Sequence, residues 1–145
     1  MRKRLAWCAA IILAAIGVAR ADGLDPISVR QTGMDLANGN FAFVRAVVAA
    51  KGDVKPLEAS AKAINRWAGL IPVVFPAGSD QGGNTKALPE IWSDRAGFEK
   101  TAAAMGAAAD RLAAAAKAGD TDAVAVEAKA MGEQCGACHR HYRAK

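Results

Sequence analysis

Residues 120–145 read DTDAVAVEAKAMGEQCGACHRHYRAK. Asp120 and Asp122 open the stretch with negative charge, which suits the positive end of a helix dipole. Val124, Ala128, Met131, Cys135, Cys138 and Tyr142 then follow at steps of three and four. That period predicts one helix running to Tyr142 with a single face turned inward. Cys135, Cys138 and His139 have the spacing C-x-x-C-H, and on a helix positions i, i+3 and i+4 converge on one patch.

Two thiols and an imidazole on one turn admit several chemistries. C-x-x-C-H is the attachment pattern of c-type haem: two thiols add to two vinyl groups and the next imidazole reaches the iron. A zinc site would need His141 as a fourth ligand, but His141 points away from His139 on the same helix, so the four cannot surround a tetrahedral ion. A thioredoxin-like dithiol wants its C-x-x-C at a helix start after a strand, and no strand precedes it. A disulfide within one helical turn has poor geometry. Covalent haem uses all three residues at once, with His141 left as a solvated surface residue.

The N-terminus bears on the compartment. Arg2, Lys3 and Arg4 precede an apolar run from Leu5 to Val18, then Ala19 and Ala21 flank a small-residue processing pattern. Residues 1–21 are expected to be a secretory signal cleaved after Ala21, too short in its apolar part for a membrane span. Cys8 leaves with it. Cleavage removes four of the 19 basic residues and none of the 14 acidic ones, leaving 15 against 14. Near-neutral charge and no basic stripe with interleaved aromatics exclude nucleic acid as a partner. Export implies an oxidising periplasm, where paired thiols are used rather than left free.

Residues 22–145 are long enough for one domain with one core. Helix signals dominate. Asp25 and Pro26 start a first helix carrying Ile27, Met34, Phe41, Val44 and Val48, stopped by Gly52 and Asp53. A second begins near Lys55 and Pro56, carries Leu57, Ala61, Ile64 and Ala68, and ends around Gly69. Residues 71–88, IPVVFPAGSDQGGNTKAL, have no amphipathic period and read as a long loop. Pro89 opens a third helix through Trp92, Phe98, Met105 and Leu112, with an Ala-rich middle and Gly119 as its cap. The expected fold is all-α: an antiparallel up-down-up-down four-helix bundle with a long loop between helices two and three. Met105 and Met131 read as core; Phe75 and Trp92 read as packing, against a bound haem or between helices; Trp67 is assigned to core or to a dimer contact.

The segments VRQTGM (29–34), FPAGS (75–79), ALPEIWSDRAGF (87–98) and GACHRHYRAK (136–145) together resemble the class II cytochromes c, meaning cytochrome c' and its low-spin relatives. The resemblance covers the mature chain in order. It implies one covalent haem c on Cys135 and Cys138, with His139 as proximal iron ligand. It also implies that Arg30, with Gln31, lies by a haem propionate, and that the loop before EIW, here Asn84, Thr85 and Lys86, passes near the propionates.

Met34 falls on the family's distal position, where two outcomes remain open. In the low-spin relatives a Met here ligates iron, giving a His/Met centre for electron transfer. In cytochrome c' proper the residue does not bond and the pocket admits small gases. The first implies a periplasmic single-electron carrier with redox partner proteins; the second a binder of nitric oxide or carbon monoxide. Neither is an enzyme, since a catalyst such as a peroxidase would need polar distal groups. The resemblance further implies an antiparallel homodimer through helices one and two, for which Phe43, Val47 and Ala50 offer an apolar second face.

Overall fold

The computed structural model describes residues 23–145. The expected signal segment, residues 1–21, lies outside them, as does Asp22. Five helices follow in order: α1 (Pro26–Ala50), α2 (Leu57–Leu70), α3 (Glu90–Ser93), α4 (Arg95–Ala118) and α5 (Thr121–Tyr142). Among the described residues no strand forms, only an isolated antiparallel pairing of Ala87 with Arg143. None of these helices is long and apolar enough to cross a membrane.

The helix ends follow from the residues at them. The Asp25 carboxylate accepts from the backbone N–H groups of Ile27 and Ser28 at 3.2 and 3.0 Å, and Pro26 occupies the first turn where no donor is wasted. At the other end Lys51, not Gly52, takes the left-handed conformation at φ 51°. The physical reason is the hydrogen bond from Gly52 N–H to the Val47 carbonyl at 3.0 Å, which closes only if residue 51 turns back. Gly119 caps α4 in the same conformation at φ 73°, and the Asp120 carboxylate caps α5 through Ala123 N–H at 2.9 Å.

One expectation needs correction. The third helix is not continuous from Pro89: it breaks at Asp94, with φ −117° and ψ 56°, into the single turn α3 and the long α4. Asp94 leaves helical geometry because its carboxylate works as a cap, accepting from Gly97 N–H at 3.2 Å and from the Tyr142 hydroxyl at 3.0 Å. A Cβ at residue 97 would meet that carboxylate, so a larger residue there would make the Asp94 side chain shift.

The four long helices form the expected bundle. Side chains from all four meet in its interior, with Val44, Leu57, Ile64, Phe98, Leu112, Val124 and Met131 fully buried. Small residues on α4, among them Ala102, Gly106, Ala109 and Ala113, bring its backbone close to its neighbours, and the Asn65 amide donates to the Gly106 carbonyl at 3.1 Å. Met105 is core as expected, and Trp67 packs inward on Gly33. Antiparallel order shows in the contacts: Lys55 before α2 lies against Gly119 after α4, while Phe41 of α1 packs on Gly132 of α5.

The long loop is fixed rather than loose. Arg95 donates to the Phe75 carbonyl at 3.0 Å and the Trp92 indole N–H to the Pro76 carbonyl at 3.0 Å. Its far end is stitched to the end of α5 by Ala144 N–H to Lys86 O at 2.8 Å and Leu88 N–H to Tyr142 O at 3.1 Å. The loop thereby covers one end of the bundle, between the start of α1 and the end of α5.

Candidate functional site

At that end α1 and α5 part around a cleft of about 600 Å³. A volume in that range suits a bound small molecule or cofactor. Cys138 and His139 line it from α5, Met34 and Asn38 from α1, and Phe75, Thr85 and Lys86 from the loop. Ile91 and Phe98 contribute its apolar floor, and α5 presents Cys138 half-buried and His139 exposed to the cleft, so the motif stands at the rim of the interior and not within it.

Burial favours the neutral forms of the two thiols and of the imidazole. Burial pushes the Cys138 thiol up to about 11, helped by the neighbouring Cys135, and burial also raises Cys135. His139 is held below its ordinary value by desolvation and by the Arg143 cation. A neutral imidazole keeps a ring lone pair available to a metal. Both cysteines are free and half-buried. Cys135 packs against the core one turn back from the lining residues, next to Arg45, so the cleft meets the motif from the Cys138 end.

The strongest feature is Arg30, a cation only 3 % exposed. It donates to the Ser79 hydroxyl at 2.9 Å, the Ser79 carbonyl at 2.8 Å and the Thr85 hydroxyl at 2.6 Å. Its guanidinium also lies 4.6 Å from the centre of the Phe75 ring. All of these partners are neutral; desolvation lowers its pKa, and the Asp25 carboxylate, too far for an ion pair, only partly opposes that. Among the described residues it joins no ion pair. A buried cation held by neutral groups at the wall of a cleft is set to receive an anion.

The structure brings Arg30, Gln31, Met34, Thr85, Lys86, Cys138 and His139 to one cleft. Their individual parts differ. Gln31 donates to the Asn84 carbonyl at 3.3 Å, fastening the loop. Thr85 meets Arg30 and the Ala87 N–H, while Lys86 is exposed at the rim. Sequence reasoning missed Ser79, which lies 49 residues from the arginine it holds, a separation no local pattern bridges. It also missed Arg143, which lies just past the end of α5 in extended backbone, where the helical period no longer says which way a side chain faces.

The family model described as Cytochrome C' matches residues 25–143.

The chain belongs to the cytochrome c' family.

Cytochrome c' of Rubrivivax gelatinosus is 32 % identical over 123 residues, covering 83 % of this chain and 95 % of its own, and its crystal structure superposes with a TM-score of 0.75. Cytochrome c-556 of Agrobacterium tumefaciens is 37 % identical over 93 residues, covering 64 % of this chain and 74 % of its own. A nitric oxide complex of a cytochrome c prime variant from Alcaligenes xylosoxidans superposes with a TM-score of 0.75 at 32 % identity, covering 83 % and 94 % of the two chains. Members of the cytochrome c' family carry one covalent haem c. The residues here fit that group: two free thiols beside a neutral imidazole, an apolar floor, and an unpaired buried cation for a carboxylate. Four-helix bundles, cytochromes c' among them, build such sites from facing helices.

Proposed function

We propose that this member of the cytochrome c' family is a periplasmic mono-haem protein that carries single electrons between partner proteins. In this reading Cys135 and Cys138 hold the haem through thioethers, His139 is the proximal ligand and Met34 the distal one. The observation that carries it is that Met34 and His139 line one cleft from two different helices. Bound there, haem c supplies a one-electron ferric/ferrous couple.

The chain's own residues set the conditions for that couple. Arg30 presents buried positive charge to a propionate carboxylate, with Ser79, Thr85 and Phe75 fixing its guanidinium. Gln31, Thr85 and Lys86 complete the loop side. The Met34 thioether is no general acid or base, and we assign this protein no catalytic turnover. Export by cleavage after Ala21 supports the periplasm.

We also infer a homodimer. Leu36 and Phe43 are 65 % and 46 % exposed on the outer face of α1, one heptad apart. Ala50 is exposed as well, but Val47 turns inward against the core and is dropped from this face.

A second reading, binding of nitric oxide or carbon monoxide at a five-coordinate iron, draws support from the nitric oxide complex of the Alcaligenes xylosoxidans relative. Ferric and ferrous absorption spectra separate the two. A narrow, split ferrous alpha band with a sulfur-to-iron band at the red end of the visible is expected of the carrier. Broad high-spin spectra that shift under carbon monoxide are expected of the gas binder. A Met34→Ala spectrum identical to wild type would sink the distal-ligand assignment.

A further inference from the structure

The half of α1 that borders the cleft leans on α2, and the contact is at Gly33, the residue before Met34. Gly33 is buried, and a Cβ there would fall inside the benzo edge of the Trp67 indole, at Cη2, Cζ3 and Cζ2. Trp67 itself is half-buried, and its Nε1 is buried with no hydrogen-bond partner. A buried indole normally finds a partner for that N–H. Here the ring is retained with its donor unsatisfied, which points to its shape as the reason for its presence.

We propose that Trp67 is a positioning residue: its ring, seated on the Gly33 backbone, sets where α1 stands and so where Met34 sits over the cleft. This rests on the reading of Met34 as the distal residue. Gly33 and Met34 are consecutive in a continuous helix, so a displacement of the backbone at one moves the other. Close-packed interiors do not absorb an added methyl locally. On the cleft side α1 has no helix against it at this level, because the cleft separates it from α5. Trp67 therefore braces α1 from behind, and access of a small neutral ligand to the cleft is governed by that brace together with the Met34 side chain.

The test uses the haem-loaded protein with carbon monoxide as probe. Gly33→Ala is expected to push α1 off its seat and raise carbon monoxide affinity by about fivefold or more. Adding Trp67→Phe, whose shorter ring vacates the space the methyl needs, is expected to return the affinity toward wild type. Trp67→Phe alone, which leaves Gly33 intact and keeps the core filled, is expected to speed carbon monoxide association because α1 loses its brace. This second variant also decides the matter if Gly33→Ala does not fold. A merely structural contact would lower unfolding midpoints in these variants and leave affinity, association rate and absorption spectrum unmoved, and that result overturns the proposal.

Met34→Ala run in parallel separates the two ideas. If it raises carbon monoxide affinity while the Gly33 and Trp67 variants do not, only the positioning role is lost. If Met34→Ala changes neither spectrum nor affinity, the distal reading fails and the role of Trp67 falls with it.

Discussion

Arg30 shows how one side chain can serve both fold and site. Its three hydrogen bonds reach Ser79 and Thr85 across 49 and 55 residues of chain, so it clamps the long loop to α1. The same burial that makes those bonds strong makes the unpaired charge costly, and an anion in the cleft offsets that cost. Arg30→Gln keeps some hydrogen bonding and removes the charge. We expect it to destabilise the protein by about 2 kcal/mol, from lost charge-assisted bonds, as read by urea unfolding. In the haem-loaded protein it should also lower the midpoint potential, because a fixed cation favours the more electron-rich state; a spectroelectrochemical titration showing no fall would remove Arg30 from the site. Of this residue the sequence told only its place beside Gln31 and its family match. Which acceptors hold it is a matter of the loop's path, and the loop has no periodicity to read.

Side-chain carboxylates fix where the helices begin. The Asp25 carboxylate lies below its ordinary value of 3.8, chiefly through the Ser28 hydroxyl and then the Ser28 and Ile27 N–H groups. A carboxylate with a folded pKa below its unfolded one adds stability at pH above the unfolded value, and that stability fades as pH falls through the folded value. Asp25→Ala should therefore melt below wild type at pH 7 and indistinguishably from it in strong acid, with circular dichroism melts as the check. Asp94 matters more, since one carboxylate both caps α4 and receives the Tyr142 hydroxyl. Asp94→Ala should cost about 1–2 kcal/mol, and somewhat less in a Tyr142→Phe background, where only the cap on Gly97 N–H remains to be lost. The break at Asp94 escaped the sequence reading because Pro89 and the Ala-rich run both favour one continuous helix. The competing preference, a carboxylate reaching a tyrosine 48 residues away, is tertiary.

For the molecule as a whole, the bundle closes three of its sides in helix contacts and leaves its fourth open at one end as the cleft. On the outside, Leu36 and Phe43 form an exposed apolar stripe on α1, flanked by small alanines that permit close approach of a second helix. Phe43→Glu is expected to convert the proposed dimer to monomer in light scattering without altering the absorption spectrum; an unchanged mass would discard this face. The sequence by itself determined the helical class, the caps at Asp25, Gly119 and Asp120, and the motif of Cys135, Cys138 and His139. These are local matters, set by residue type and by a period of 3.6 within a single segment. Only the tertiary structure decided that Met34 shares a cleft with His139, that Val47 turns inward, and that Ser79 and Thr85 hold Arg30. Those facts depend on how separate helices and one aperiodic loop are packed against each other, and that is fixed by contacts between residues far apart in the chain.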